Sequence, residues 1–205
     1  MPTPAPETPC NVQMLFRHPG RFVSLEQVFG EIAAHLPDDI NCVRDIAPRG
    51  GTSPSALAAN VRWANGRTAD VIHITGDIQY AALGVRRTPV VLTIPDARAV
   101  AGPTSLRQTI LRLLWFTLPG RRATAVTTLS EAARSEIAQR CAIPAAKIRV
   151  LPCCASPAFT PYAAPPTDPR PRILHVGTTP NKNLNRLADA LEGLPCALQI
   201  LGEPT

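Results

Sequence analysis

The sequence predicts an α/β fold, a parallel sheet with helices on both faces. Three observations lead to this class. Short apolar runs alternate with segments of helical spacing, the connections between them are short, and 205 residues that are 45% hydrophobic and 18% charged suffice for a buried core. No apolar run approaches the ~20 residues of a membrane-spanning helix.

The first part of the chain holds six predicted strands, at residues 12–16, 40–46, 71–75, 89–94, 123–128 and 148–151. Helical signals lie between them. Ser24 and Gln27 have the spacing of a capping box, and apolar residues follow at helical spacing up to residue 36. Pro54 can open a second helix, which Gly66 ends.

Two more helices are predicted before the last of these strands. Residues 105–118 form an apolar-rich segment that Pro119 and Gly120 should stop. Ser130 is a candidate cap for the other, in which Ala133, Ile137 and Cys141 lie on one face.

The composition changes near residue 155, where six prolines fall within residues 155–172 without any periodicity. We predict a disordered tail at residues 1–11, a first domain at 12–160, a linker at 161–172 and a second domain at 173–205. The second domain has strand signals at 173–176 and 197–201 around a helix at 183–191. One strand–helix–strand unit cannot bury both of its faces, so this domain is expected to be incomplete.

Charge and cysteine usage exclude several classes of function. The net charge is +6, but the 21 basic residues include only two lysines, Lys147 and Lys182, and the arginines are scattered rather than interleaved with aromatics. This pattern disfavours nucleic-acid binding. The six cysteines form no C-x-x-C pair and are not spaced with the histidines as metal ligands, which predicts reduced, half-buried thiols and no metal site.

Ligands of parallel α/β sheets bind outside the carboxyl ends of the strands. In this sequence those ends carry glycines, hydroxyls and carboxylates, which favours a polar ligand over a lipid tunnel. The segments concerned are residues 17–20, 75–77, 95–96, 130–131 and 177–182.

These segments also resemble a known family. The runs at residues 73–80, 91–96 and 127–131, the run at 147–152 with 157–159, and the run at 173–184 are similar in order and spacing to family 4 glycosyltransferases. The resemblance covers about residues 12–205. It implies the GT-B architecture, in which a Rossmann-like acceptor-side domain faces a nucleotide-sugar-binding domain, here truncated.

The resemblance further implies transfer of a sugar from a UDP- or GDP-linked donor to a glycan or lipid-linked acceptor, with retention and without a metal. The nucleotide sugar would be a co-substrate, and no cofactor is expected. Because the second domain is short, we expect the 205 residues to be a fragment of the full enzyme and to be inactive alone.

The resemblance places the donor phosphates at Lys182, Gly177, Thr178 and Asn181. A cation beside free backbone N–H groups at a helix start suits a diphosphate. The alternatives remain open that Lys182 is a solvated surface lysine and that Gly177 serves a tight turn.

Acceptor-side candidates are Gly76, Asp77, Tyr80, Ser130 and Glu131, and the catalytic candidate is Asp96. Ser130 and Glu131 are also explained as a helix cap and its acidic first turn, and Asp77 as a turn residue. Two positions depart from the family pattern, since Pro95 and Gln79 stand where histidines are usual. Both departures bear on catalytic competence or on the type of acceptor.

Residues 105–122 carry several arginines beside Trp115 and Phe116, so this helix either packs on the sheet or touches an anionic membrane surface. We expect a cytoplasmic protein, with peripheral contact at the inner membrane as an option. Two other functions compete with sugar transfer. One is a non-catalytic sugar-nucleotide or glycan-binding relic, and the other is a redox enzyme, which the absence of G-x-G-x-x-G after the first strand disfavours.

Overall fold

The computed structural model describes residues 8–20, 24–100, 105–155, 159–160 and 170–202. The chain divides into two compact units, Met1–Phe159 and Thr160–Thr205. Most of the expected tail and linker, residues 1–7 and 161–169, lies outside the described residues. The tail was predicted too long, because Cys10 and Asn11 already pair with the neighbouring strand.

The larger unit is built on a six-stranded parallel sheet with the strand order β2-β1-β3-β4-β5-β6. This confirms the predicted fold class and the predicted adjacency of the third, fourth and fifth strands. The strands are β1 (Cys10–Phe16), β2 (Ile40–Ile46), β3 (Val71–Ile74), β4 (Val90–Thr93), β5 (Ala125–Thr128) and β6 (Ile148–Val150).

One row of apolar side chains crosses the sheet from β1 to β6. Its members are paired neighbours in the strand register and all are 0–1% exposed: Leu15, Ile74, Leu92, Val126 and Ile148. Because side chains alternate along a strand, the residues beside Leu15 point to the other face. There Met14 and Phe16 form a second core cluster with Phe29, so both faces of the sheet are covered.

Helix α1 (Ser24–Ala34) covers that second face through Phe29, whose ring meets the ring of Phe16 edge-on at 6.3 Å. The opposite face carries helix α2 (Pro54–Asn65), which begins and ends where the sequence predicts. The Ser53 hydroxyl accepts a hydrogen bond from the N–H of Ala56 at its start, and Gly66 follows its last residue.

A 3-10 helix at Gln79–Leu83 packs against α2. The backbones come together at Gly84, where an added Cβ would lie 2.1 Å from the carbonyl oxygen of Val61. Asn60 of α2 donates a 2.8 Å hydrogen bond to the hydroxyl of Tyr80. This contact fixes the 3-10 helix at the end of β3 and therefore also positions the backbone of Gln79, the residue before Tyr80.

The apolar-rich helix does not stop at Pro119 and Gly120, contrary to the prediction. Helix α3 (Leu106–Leu111) passes into a π-helical turn (Arg112–Thr117) and then into helix α4 (Leu118–Arg122). Pro119 directly follows the π-helical turn as the second residue of α4, and the helix continues past it. Gly120 lets the helix approach the core, because an added Cβ would lie 2.2 Å from Cδ1 of Ile143.

Helix α5 (Glu131–Cys141) confirms the predicted cap and apolar face. The hydroxyl of Ser130 accepts a 3.1 Å hydrogen bond from the N–H of Ala133. Ile137 and Cys141 are fully buried in the core. Burial raises the pKa of Cys141 to about 11, so this thiol stays protonated at neutral pH.

The smaller unit contains two parallel strands, β7 (Arg172–Val176) and β8 (Ala197–Leu201), joined through a 3-10 turn (Pro180–Lys182) and helix α6 (Leu184–Leu191). Arg172, assigned to the linker from the sequence, pairs with Ala197 and is the first residue of β7. Leu174 and Leu201 are 62% and 61% exposed within this unit, as expected of a two-stranded sheet.

The cysteine prediction was only partly right. All six thiols are free, but Cys153 and Cys154 are exposed rather than half-buried, because they lie in the irregular segment after β6 and not in a strand or helix. Within the described ranges no helix is long and apolar enough to cross a membrane.

Candidate functional site

A cavity of about 660 Å³ lies at the carboxyl ends of β3 and β4 in the larger unit. The loops that follow these two strands form one wall, and the helical segment after Ser105 forms the other. The described lining residues are Thr52, Leu57, Asp77, Gln79, Pro95, Asp96, Ala99, Arg107, Ile110, Leu111, Leu114, Trp115 and Phe116.

The helical wall of the cavity is apolar. Ile110, Leu111 and Leu114 line it together with the rings of Trp115 and Phe116. The loops at the strand ends, taken alone, predict a polar site. The structure corrects this expectation, because a helix from outside the sheet covers the polar loops with aliphatic and aromatic side chains.

Trp115 holds this wall in place from the π-helical turn. Its indole Nε1 donates a 3.3 Å hydrogen bond to the backbone carbonyl of Asp77, and its ring packs on the ring of Tyr80 at 4.5 Å. The wide turn includes an N–H···O bond from Leu118 back to Leu113, five residues earlier. Such π-helical turns are frequent at functional sites, where they re-aim side chains.

Asp77 sits in a left-handed conformation, with φ 59°, directly after Gly76 at φ 129°. Its carboxylate pairs with the guanidinium of Arg17, which also binds both oxygens of Glu26 at 2.8 and 3.0 Å. The hydrogen bond to Glu26, with the two nearby carboxylates, raises the pKa of Arg17 against the effect of burial. One arginine thus ties the end of β1 to both α1 and the loop after β3.

Gln79 follows two residues later and is 3% exposed, and its Oε1 has no hydrogen-bond partner. Oε1 is therefore a buried acceptor in a residue that lines the cavity. Its neighbour Tyr80 is buried too. The hydroxyl of Tyr80 accepts from Asn60, and burial raises its pKa.

Asp96 also lines the cavity and is exposed. Its Oδ1 accepts a 3.0 Å hydrogen bond from the N–H of Arg98, which fixes the turn after β4. The structure thus brings the catalytic candidate Asp96 and the acceptor-side candidate Asp77 to the same cavity. Pro95, one of the two departures from the family pattern, lies beside them.

The remaining acceptor-side candidates are placed differently. Gly76 is buried, and an added Cβ would lie 3.1 Å from Cδ1 of Leu25, so this glycine permits α1 to approach the loop. Ser130 caps α5, and Glu131 forms an ion pair with Arg134 at 3.3 Å. None of these three is among the described residues that line the cavity.

A smaller cavity of about 190 Å³ adjoins the first and shares Thr52, Asp77 and Trp115 with it. Tyr80 lines this cavity together with Arg17, His18 and Arg49. The sequence placed Arg17 and His18 at the functional edge but gave them no role. Arg49 was missed, because it follows an edge strand and belongs to no motif.

A polar chain lies beneath the site on the α1 side of the sheet. Nε2 of His73 is 2.9 Å from the hydroxyl of Thr93, which is 2.8 Å from that of Thr127. The ring of His73 meets Phe29 edge-on at 5.0 Å. Burial lowers the pKa of His73 to about 4, so the imidazole is neutral at physiological pH.

The donor-phosphate candidates lie in the smaller unit, between β7 and α6. The side chain of Lys182 folds over Gly177, where an added Cβ would lie 3.1 Å from Cε of the lysine. Gly177 has φ 92°, and its N–H donates to the carbonyl of Leu201. Lys182 is exposed and lies in the turn before α6 rather than in the helix itself.

Of the other two candidates, Asn181 lies in this turn and Thr178 precedes it. The side chains of Thr179 and Asn181 are joined by a 2.6 Å hydrogen bond. Thr178 lies against Gly202, where an added Cβ would be 3.2 Å from the threonine methyl. Among the described residues, no group of three or more His, Cys, Asp or Glu side chains is placed to hold a metal ion.

A family model described as a glycosyl transferase 4-like domain matches residues 15–154. The chain belongs to this glycosyltransferase family. All the described residues that line the two cavities fall within the glycosyl transferase 4-like segment. The loop with Gly177 and Lys182 lies outside it.

Solved structures add a likeness of fold. The apo form of the lipopolysaccharide outer core galactosyltransferase WaaB matches with a TM-score of 0.59 and 13% identity, over 94% of this chain and 60% of that chain. This chain therefore spans about three-fifths of the length of that protein. The likeness supports the GT-B glycosyltransferase fold for this glycosyl transferase 4-like chain.

A ligand-free, open substrate-binding protein with adhesive properties from Clostridium difficile aligns at 12% identity over 96% of this chain and 58% of that chain. Its TM-score of 0.32 is too low to indicate a shared fold. No curated protein sequence matches this glycosyl transferase 4-like chain.

Proposed function

We propose that this chain acts in the transfer of a sugar from a UDP- or GDP-linked donor to a glycan or lipid-linked acceptor, with retention and without a metal or other cofactor. The observation that carries the proposal is the cavity at the carboxyl ends of β3 and β4. It joins two carboxylates to an apolar wall, and it lies in the segment that matches the family.

The larger unit is the acceptor side in this proposal. Asp96 is exposed in the cavity and keeps Oδ2 without a described partner, so it can accept a proton. In the reaction the acceptor hydroxyl forms a bond to the anomeric carbon on the same face from which the diphosphate departs, because attack from the opposite face would invert the configuration. The diphosphate leaves with the bonding electron pair, and the hydroxyl proton passes to Asp96.

The smaller unit is the donor side. Lys182 folds over Gly177 at the end of β7, and a glycine with positive φ lets a phosphate approach the backbone. The ammonium group and the N–H groups of the first turn of α6 are suited to the negative charge that builds on the leaving diphosphate. No metal is required if these groups carry that charge.

A second candidate function is non-catalytic binding of a glycan or sugar nucleotide. Pro95 and Gln79 favour it, since neither supplies the imidazole usual at these positions. His18 and Asp77 both line the adjoining smaller cavity, so an imidazole is available there from another strand end. Release of nucleoside diphosphate in the presence of acceptor separates transfer from binding alone.

We also propose that residues 105–122 rest on an anionic membrane surface on the cytoplasmic side. Leu106 is 78% exposed, and Ile110 and Leu113 are about half exposed. Arg107 is exposed on the same helix, so apolar and cationic groups share it. Co-sedimentation with vesicles containing phosphatidylglycerol, but not with phosphatidylcholine vesicles, is the expected behaviour, and Leu106→Glu should abolish it.

The donor assignment is tested by calorimetric titration of the 205-residue chain with UDP-glucose, GDP-mannose and NAD. We expect one of the sugar nucleotides to bind and NAD not to bind. Lys182→Ala should weaken binding at least about tenfold, the equivalent of one charge-assisted hydrogen bond. Arg186→Ala removes an exposed cation from the same unit and should leave the affinity unchanged. Binding of NAD alone, or of none of the three, would contradict the proposal.

Turnover by the 205 residues is expected to be slow even when the donor binds. The described part of the smaller unit has two strands and one α-helix, which provide few groups to orient a base and ribose. Orientation of the reactants is a large part of enzymatic rate enhancement. A single-turnover assay with radiolabelled donor, protein in excess and an added acceptor measures this rate.

A further inference from the structure

Arg107 is the one cationic residue among the described residues that line the larger cavity. It is exposed, and its side chain has no hydrogen-bond or ion-pair partner in the part of the chain that the structure describes. The proposed transfer reaction does not use this residue. An arginine that is unpaired at a ligand cavity can bind an anionic group of the ligand.

The position of Arg107 in α3 places its side chain on the cavity side of the helix. Ile110 and Leu111 follow it by three and four residues in the same helix, and both line the same cavity. Residues at these spacings share one helix face. Because Arg107 is also exposed, a ligand in the cavity can reach its guanidinium.

The apolar side chains that follow Arg107 on this wall are partly open to solvent. Ile110 and Leu114 are 48% and 42% exposed although both line the cavity. Leu106 and Leu113, one turn before and one turn after Ile110, are exposed as well. An apolar chain lying along this helix would remove these side chains from water.

The opposite wall of the cavity carries the other sign of charge. Asp77 and Asp96 line it, and the charge of Asp77 is paired with Arg17. An anionic group of a ligand is therefore favoured at Arg107 and disfavoured at Asp96, whereas a hydroxyl can donate a hydrogen bond to Asp96. The cavity thus fits a ligand with an apolar chain, an anionic group and a hydroxylated head.

We propose that Arg107 is a specificity-determining residue that binds the phosphate of a lipid-borne acceptor, whose apolar chain lies against Ile110 and Leu114. This inference rests on the proposed function, because it narrows the acceptor from a glycan or any lipid-linked molecule to one carried on a lipid phosphate. Arginine suits this role, since its planar guanidinium can donate two parallel hydrogen bonds to phosphate oxygens.

Octyl phosphate and its dimethyl ester are a matched pair of probes, since the ester keeps the chain and carries no charge. Calorimetric titration of the 205-residue chain at pH 8 should give a Kd at least about tenfold lower for octyl phosphate than for the ester. Arg107→Gln should remove this preference. Arg87→Gln removes an exposed arginine before β4, at the opposite edge of the sheet, and should leave the preference intact.

Further probes separate the contribution of the chain from that of the phosphate. Octyl phosphate should bind at least about tenfold more tightly than butyl phosphate or inorganic phosphate, the equivalent of half-burying the additional methylene groups. Octyl β-D-glucoside carries the same chain on an uncharged, hydroxylated head and should bind the cavity more weakly than octyl phosphate does. All amphiphiles are used below their micelle concentrations, so that no lipid surface is present.

Five results would overturn the proposal: no binding of octyl phosphate, equal binding of octyl phosphate and its ester, inorganic phosphate binding as tightly as octyl phosphate, a preference that survives in Arg107→Gln, or one that is lost in Arg87→Gln too. Arg107→Gln should keep the wild-type melting temperature, because the exposed side chain has no described partner. Binding of octyl β-D-glucoside without a preference for the charged phosphate would overturn this inference alone. The donor titration with Lys182→Ala tests the proposed function on the other unit.

Discussion

The indole of Trp115 donates a hydrogen bond to the backbone carbonyl of Asp77 at 3.3 Å, and this contact joins the helical wall of the cavity to the loop after β3. The carboxylate of Asp77 is in turn paired with Arg17. A residue in a left-handed conformation is thus held from two sides. The loop is fixed before any ligand arrives, which reduces the entropy lost on binding.

Asp77 allows its conformational and ionic contributions to be separated. Asp77→Asn keeps a side chain that tolerates positive φ and removes only the charge, so it should cost at most about 1 kcal/mol of the free energy of unfolding. Asp77→Ala adds the strain of a left-handed alanine, about 1–2 kcal/mol more. Urea denaturation followed by tryptophan fluorescence measures both, because Trp63 and Trp115 both lie in the larger unit. An equal loss of unfolding free energy in the two variants would contradict the view that the left-handed conformation at position 77 strains an alanine.

The buried His73 predicts a pH dependence of stability. Its pKa is about 4 in the folded protein and ~6.5 in an unfolded chain, so the unfolded state takes up the proton first as the pH falls. The contribution of the neutral His73 to the free energy of unfolding is complete above pH 6.5 and is lost progressively as the pH falls toward 4. At pH 5 the loss amounts to about 2 kcal/mol relative to pH 7.5.

The same denaturation experiment at pH 7.5 and pH 5 measures this difference. His73→Phe should remove about 2 kcal/mol of the pH dependence, since the ring no longer titrates. His35→Gln changes an exposed histidine and should leave the pH dependence intact. A wild-type profile that does not differ from that of His73→Phe would show that His73 is not held neutral by burial.

The sheet could be predicted from sequence because its strands carry local signals. Runs such as residues 71–75 and 89–94 are apolar, short and bounded by turn residues, and the pairing of their neighbours follows from parallel topology. The continuation of the helix through Pro119 could not be predicted. Proline usually ends a helix because it removes a backbone N–H, and the local sequence does not show that a wider, π-helical turn precedes Pro119 here.

The site was predictable at the strand ends and not at the helical wall. Asp77 and Asp96 directly follow apolar strands, so their common location follows from the sheet alone. Trp115 and Ile110 reach the cavity through the packing of a helix that the sequence places only in general terms. Gln79 was noticed as a departure from the family pattern, but its unpartnered oxygen emerges only from the packing of the 3-10 helix.

A substitution at Gly84 tests the close contact with α2 that positions the 3-10 helix. An added Cβ would lie 2.1 Å from the carbonyl oxygen of Val61, so Gly84→Ala should force α2 away and cost roughly 1–3 kcal/mol or more of the free energy of unfolding. Gly66→Ala is the matched control, because its Cβ would have its nearest contact at 3.6 Å. A Gly84→Ala protein as stable as Gly66→Ala would exclude the close approach.

Two substitutions at Ser130 distinguish a helix-capping role from a ligand contact. Ser130→Ala removes the hydrogen bond to the N–H of Ala133 and should cost about 1 kcal/mol of the free energy of unfolding, whereas Ser130→Asp should retain most of the stability. If capping is its whole role, octyl β-D-glucoside should bind both variants as it binds the wild type. A loss of binding in both variants would instead assign Ser130 to the acceptor site.

Two indole N–H signals in a ¹H–¹⁵N NMR spectrum give the most direct test that the cavity of the larger unit is the acceptor site. Trp115 lines the cavity, whereas Trp63 on α2 lies against Arg67, with the guanidinium carbon 5.1 Å from the ring centre. Trp115→Phe assigns the two signals. On titration with octyl β-D-glucoside, the Trp115 signal should shift in a saturable manner while the Trp63 signal stays in place. A saturable shift of Trp63 alone, or no shift of either signal, would contradict an acceptor site in this cavity.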